Sequence, residues 1–168
     1  MYEIIKKDLS RYSGGGGMPL FQKLFRKSQK STGLAQLTYK MLYSYYSGKS
    51  HIEIPWNCRI GAGLYIGHAY GITINHDAVI GDNCNIHKGV TIGQENRGPR
   101  KGTPRIGNNV WIGINATIVG NIVIGDDVLI ASNTYVNCDV PSHSIVLGNP
   151  CIIKPCADAT ADYINRKV

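Results

Sequence analysis

His68 and a cationic stretch over residues 94–105 are the two places in this chain of 168 residues where chemically useful side chains coincide with a break in a regular pattern. His68 lies in IGHAYGIT. An imidazole gains and loses a proton close to neutral pH, so an outward His is suited to proton transfer. The second stretch, within IGQENRGPRKGTPR, carries Arg97, Arg100, Lys101 and Arg105 against Glu95 and is rich in Gly and Pro. Such a segment is expected to protrude as a loop, shape a cleft and meet an anionic ligand.

The pattern these two stretches interrupt is a ladder of aliphatic residues six positions apart. It runs Ile54, Ile60, Ile66, Ile74, Ile80, Ile86, Ile92, Ile106, Ile112, Ile118, Ile124, Ile130 and Val136. Only the steps from Ile66 to Ile74 and from Ile92 to Ile106 depart from six. A second small or apolar residue follows each of most anchors by four, as in Cys58, Leu64, Ala78, Cys84, Val90 and Val110. A period of six is neither helical nor a plain strand alternation. It predicts short strands joined by corners, three to a turn, stacked into a prism because no unit buries its own apolar face. Thirteen anchors predict a little over four turns. Gly follows the anchor in seven units, and it is read as the residue that lets the chain turn the corner.

Three segments follow. Residues 1–50 form a basic, helical N-terminal segment, with four glycines ending the first stretch as a flexible joint and Gly33 dividing two helices. Tyr39, Tyr43, Tyr45 and Tyr46 are expected to pack on the open end of the coil. Residues 51–141 are the coil, with the loop 94–105 protruding, and residues 142–168 are an exit turn and a tail whose end is a candidate helix.

The formal charge of +7 resides in residues 1–50, where nine Lys/Arg face Glu3 and Asp8. Residues 51–168 carry nine of each sign. The basic segment is read as a solvated helical face, with contact to an anionic partner or membrane surface left open. Nucleic acid is not an expected partner, because no base-reading or aromatic-basic platform motif is present. Five Cys without a CxxC pair argue against a zinc site or disulfide framework, and no metal is expected. No run approaches a membrane span and the N-terminus lacks a secretory apolar core, so a cytoplasmic location is expected.

From Glu53 to Pro150 the chain resembles the serine acetyltransferases and the related polysaccharide O-acetyltransferases of the hexapeptide-repeat family. The residues that carry the resemblance are HAYGITIN, VTIGQ with the long loop and TPRIGNNVWIG, ATIVGNIVIGDDVLIASNTYV, and VPSHSIVLGNP. The resemblance implies a mainly β fold, a single-stranded left-handed parallel β-helix, assembled as a homotrimer with active sites between subunits. It implies acetyl-CoA as co-substrate. It also implies that His68 is the general base that deprotonates an acceptor hydroxyl, oriented by Glu53 fifteen residues before it. The positions that match the family's acetyl-CoA groove are Gly93, Gln94, Gly113, Ile114, Ala131, Ser132 and the exit turn Gly148, Asn149, Pro150. Lys154 is placed to meet a CoA phosphate. Tyr70, Arg97, Arg100 and Thr103 are the candidate acceptor contacts.

The departures from the family bear on the acceptor. Serine acetyltransferases have Asp directly before the catalytic His, where this chain has Gly67, and Arg-His before the loop Pro, where it has Gly102 and Thr103. Those family residues hold the charged ends of the amino acid. Without them a zwitterion would be buried unpaired. A sugar hydroxyl of a polysaccharide or its precursor is therefore the preferred expectation. Serine, in cysteine biosynthesis, is the alternative, and a β-helical scaffold without catalysis is the third reading. His87 follows an anchor at a corner with no evident partner, His76 and His143 are expected to be exposed, and His51 to cap the coil. Trp111 is read as outward-facing, either as subunit packing or as part of the groove wall.

Overall fold

The computed structural model describes residues 2–12 and 17–168, with the side chain of Tyr2 left aside. The glycine joint expected before Gly17 lies outside the described residues. Three helices come first: α1 (Tyr2–Ser10), α2 (Leu20–Lys30) and α3 (Gly33–Lys49). The coil then begins. Its first turn contains β1 (Arg59–Ile60), β2 (Tyr65–Gly67) and β3 (Thr73–Ile74), and its second β4 (Val79–Ile80), β5 (Asn85–His87) and β6 (Thr91–Gly93). The third turn contains β7 (Arg105–Ile106), β8 (Val110–Ile112) and β9 (Thr117–Val119), and the fourth β10 (Val123–Ile124), β11 (Val128–Ile130) and β12 (Tyr135–Val136). Finally β13 (Ser144–Leu147) stacks on β11, and β14 (Ile152–Pro155) returns antiparallel to β13.

Every strand lies on one of three flat faces. Face I has the order β1-β4-β7-β10, face II β14-β13-β11-β8-β5-β2, and face III β12-β9-β6-β3. All pairings along the prism are parallel except the last. The structure is a left-handed parallel β-helix, against the usual right-handed crossover. Isolated bridges Glu53↔Thr73 and Ile124↔Val140 add one level to faces III and I. The prism therefore has about five turns, one more than the ladder predicts. The ladder stops short because Val140 follows Val136 by four residues, after which Val146 resumes the step of six; both are buried.

All thirteen anchors are buried, and so are the second-rank residues from Cys58 to Val128. Registers such as Ile86↔Ile112 stack like on like, which makes the core a set of aliphatic columns. The corners work differently from the expectation. The glycine after the anchor does not take a left-handed backbone; that conformation falls two residues later, at Gly63, Asn83, Gly89, Asn109, Asn115, Asp127 and Asn133. Asn, Asp and Gly are the residues that tolerate it. The glycine after the anchor is there for closeness between turns. A Cβ on Gly61 would stand 2.3 Å from Asp82 Oδ1 and 2.6 Å from the Gly81 carbonyl carbon. That oxygen accepts the Ala62 N–H at 2.7 Å, and the pattern repeats upward through Asn108 to Asp82 N–H and Asp126 to Asn108 N–H.

The bottom turn would leave a row of backbone groups unpaired, the usual hazard of a sheet edge. Side chains of α1 and α2 fill that row. Buried Asp8 pairs with buried Arg26 at 2.8 Å and accepts the Leu64 N–H at 3.1 Å. Arg26 donates to the carbonyls of Ile60 (2.7 Å) and Gly61 (2.6 Å), Gln22 to that of Leu64 (3.0 Å), and the Tyr12 hydroxyl accepts the Ile66 N–H (2.6 Å). The expected tyrosine cap is met in part: Tyr43 is buried, its hydroxyl donating to the Ile54 carbonyl, and Tyr39 packs half-buried against the core, while Tyr45 and Tyr46 stay exposed. Two of the nine N-terminal cations, Arg11 and Arg26, are buried and belong to the fold rather than to a solvated face.

The tail after β14 is a succession of turns, not a helix. Asp162 and Arg166 take left-handed backbone, which no helix carries forward. Instead the tail straps face II from top to bottom. Asp127 accepts the N–H groups of Ala159 and Thr160 and the Thr160 hydroxyl. Lower down, Tyr163 meets Trp111 edge-on at 5.1 Å and its carbonyl accepts Asn85 Nδ2, and Asn83 exchanges two hydrogen bonds with Val168.

Candidate active site

His68 follows the last residue of β2 and has φ +53, a left-handed corner at the junction of faces II and III. Backbone bonds hold the lengthened corner: Lys88 N–H donates to the Gly67 carbonyl, Gly89 N–H to that of Tyr70, and Gly71 N–H to that of Ser50. The imidazole is exposed, and among the described residues it has no hydrogen-bond partner. Tyr70, also exposed, packs edge-on against His51 at 5.3 Å.

Glu53 takes the lowest level of face III, beside Thr73, where its N–H donates to the Ile72 carbonyl at 2.7 Å. Its exposed carboxylate lines a cavity against α3 with Lys40, Tyr43 and Trp56. His68 and Glu53 thus flank the same end of face III, and within this chain no hydrogen bond joins them.

The groove positions divide between two corners. Gly113 and Ile114, Ala131 and Ser132, and Gly148, Asn149 and Pro150 leave β8, β11 and β13 at the corner of faces II and III, stacked above His68. Their backbones are linked upward, Gly113 N–H to the Ile130 carbonyl and Ala131 N–H to that of Val146. Lys154 stands on β14 opposite Ile145, exposed. Gly93 ends β6 at the other edge of face III, and Gln94 follows it. There the loop folds back on itself through Glu95 and Gly102, which exchange two backbone bonds, and the Arg100 carbonyl accepts the Asn121 N–H at 2.8 Å. Arg97 and Arg100 point to solvent and Thr103 is half-buried. Within one chain the loop and His68 therefore border face III from opposite sides and do not meet.

His87 is a neighbour of this corner that the residue pattern leaves without a partner. Register pairs it with Gly67, and a Cβ on Gly67 would lie 2.5 Å from His87 Cδ2 and 2.7 Å from Nε2. Its ring lies between Tyr65 (6.4 Å) and Trp111 (4.7 Å), and Nδ1 is 2.9 Å from the Ile112 carbonyl. A carbonyl only accepts, so Nδ1 carries the proton and Nε2 is left as an acceptor. Burial pushes the His87 pKa down; the bond to Ile112 opposes this and nearby His68 adds to it, with a net lowering. The ring is therefore neutral near pH 7. One turn is eighteen residues, and the two-residue insertion makes it twenty here, so counting the ladder pairs 67 with 87. Trp111 is covered by the chain's own tail, through Tyr163.

Comparison with known proteins agrees with this geometry. The family model described as bacterial transferase hexapeptide (six repeats) matches residues 103–138. A serine acetyltransferase of Synechococcus elongatus is 40% identical over 99 residues, 59% of this chain and 41% of that protein. Serine acetyltransferase 4 of Arabidopsis thaliana is 39% identical over 76% of this chain and 34% of its own length. The chain thus spans about half or less of these curated relatives. The solved structure of Neisseria gonorrhoeae serine acetyltransferase in complex with serine superimposes with TM-score 0.71 at 30% identity, over 90% of this chain and 68% of that one. The β-helix is that of the hexapeptide-repeat transferases, and the chain belongs to their serine acetyltransferase-like family.

Proposed function

We propose that this chain is an acetyl-CoA-dependent O-acetyltransferase whose acceptor hydroxyl is that of serine. The observation that carries the reading is His68, an exposed imidazole with no internal partner, held on a rigid corner at the foot of a column of small residues. An alcohol is a weak nucleophile near neutral pH, whereas a thioester is already activated, so removing the hydroxyl proton during attack is the main help needed. The alkoxide oxygen bonds to the acetyl carbon, the thiolate leaves, and the imidazolium returns the proton to sulfur. Glu53 would stabilise that imidazolium once the two side chains approach. Serine is supported by the three relatives named above, which are serine acetyltransferases.

A specific observation favours a second reading, a sugar hydroxyl. The space beside Gly67 is filled by His87, so no acidic side chain reaches the position where the family's ammonium partner stands. Acetyl-CoA would lie along the column from Gly113 through Ala131 to Gly148, with Lys154 near its phosphates. A trimer would bring the loop 94–105 of one copy, with Arg97 and Arg100, to the His68 corner of the next, joining parts that one chain keeps apart. Thiol release from acetyl-CoA, assayed with L-serine against a panel of sugars, tests the proposal. Saturable turnover with serine supports the first reading and turnover with sugars alone the second. No turnover with any acceptor and no acetyl-CoA binding by calorimetry leaves a scaffold.

A further inference from the structure

Beside the His68 corner, the end of α1, face II and the strap of the tail enclose a cavity of about 270 Å³. Its wall includes Arg11, Asn85, His87, Trp111, Tyr163 and Arg166. Arg11 is only 5% exposed, yet among the described residues its Nε and Nη1 have no hydrogen-bond partner; Nη2 is used, on Asn85 Oδ1 at 2.5 Å. The carboxylate nearest in the chain, Asp8, is already committed to Arg26, Gln22 and the Leu64 N–H. A buried guanidinium with idle N–H groups is costly unless an anion completes it. Burial accordingly lowers the Arg11 pKa from its ordinary value, with only partial compensation from its neighbours. Arg166, on the exposed rim, adds a second positive charge, and among the described residues no carboxylate lines the cavity.

We infer that this cavity binds a carboxylate, held by Arg11 and Arg166 and carried by the acceptor that His68 acts on. A carboxylate suits the donors because guanidinium–carboxylate pairs form charge-assisted hydrogen bonds. The Trp111 and Tyr163 rings and the neutral His87 ring offer flat apolar surface to the body of the ligand. The absence of an anionic partner in the wall means that an ammonium on the ligand would find no counter-charge here. The assignment of the ligand as acceptor rests on the acetyltransferase reading; binding of the carboxylate does not. The carboxylate has two possible sources, an amino acid such as serine or an acidic sugar.

The test uses the full chain with Trp56→Phe, so that fluorescence reports Trp111 alone. D-glucuronate, L-serine and neutral D-glucose are titrated without acetyl-CoA. Saturable quenching by glucuronate or by serine, at least tenfold tighter than any response to glucose, is expected, and which of the two acts names the source. Arg166→Gln, an exposed change, should weaken that binding by about threefold to tenfold, and raised salt should weaken it in the unsubstituted chain. Arg11→Gln should abolish it. Glucose binding as well as the acids, no response to either acid, or affinity unchanged in Arg166→Gln and in salt overturns the inference. Failure of thiol release with every acceptor, alongside intact carboxylate binding, would instead overturn the acetyltransferase reading and leave the pocket standing.

Discussion

His87 occupies the space that any side chain at Gly67 would need: a Cβ on Gly67 would lie 2.5 Å from His87 Cδ2. The His87 ring has little freedom to withdraw, being held at Nδ1 by the Ile112 carbonyl and set against Trp111. The two positions are therefore sterically coupled. The pairing also sets the chemical character of the ground beside His68, where the neighbouring ring is a neutral imidazole.

Gly67→Ala is expected to destabilise the chain by about 1–3 kcal/mol, the usual cost of overpacking a filled site. His87→Ala in the same chain should recover most of that loss. Urea unfolding of the two single variants and the double variant measures the coupling, and additive effects would show that the ring yields freely.

His68→Ala is expected to lower kcat by about 10² to 10⁴, the range for removal of a general base, with little change in acetyl-CoA affinity. Thiol-release kinetics together with calorimetry of acetyl-CoA binding separate the two quantities. A fully active variant would end the proposed mechanism.

Asp8→Ala should cost about 3–5 kcal/mol, because it leaves Arg26 buried without its partner and the Leu64 N–H unpaired. The loss should appear as a lower urea midpoint. It should also speed hydrogen exchange at the Leu64 and Ile66 amides, since the bottom edge of the prism opens there.

The tail strap should respond to pH through His143 and Asp127. The bond to Asp127 raises the His143 pKa above its ordinary value near 6.5, so its contribution is complete below that value and fades as pH rises through the raised one. Burial pushes Asp127 up, but hydrogen bonds from Thr160, His143 and Ala159 outweigh it and lower its pKa from an ordinary 3.8. Its contribution is present above that ordinary value and is lost as pH falls through the lowered one. Protection of the Ala159 and Thr160 amides, corrected for intrinsic exchange, should therefore be greatest between about pH 4 and 6.5. Asp127→Asn should flatten the profile, and an unchanged profile would count against this anchor.

The corners illustrate what is and is not readable in residue spacing. The glycines after Ile60, Ile80 and Ile106 mark the corners correctly, yet the physical demand on them is clearance from the next turn rather than backbone twist. The twist is carried by Asn83, Asn109 and Asn115. Spacing locates a residue within the repeat; it does not say which atoms approach it from the turn above. The same holds for His68, whose exposed corner follows from the eight-residue step, whereas Glu53 faces the α3 cavity and forms no bond to it.

By itself the sequence determined the prism, its three faces, its aliphatic core and the two interruptions, because a six-residue period repeats a local rule thirteen times and each repeat checks the others. Only the tertiary structure decided the cap by Asp8, Gln22 and Arg26, the strap of the tail, and the cavity where Arg11 meets Asn85. These contacts join residues as many as 85 apart, as between Asn83 and Val168, and each occurs once. No period records a contact made a single time between distant segments, since its energy depends on which backbone edges and charges the finished coil leaves unpaired.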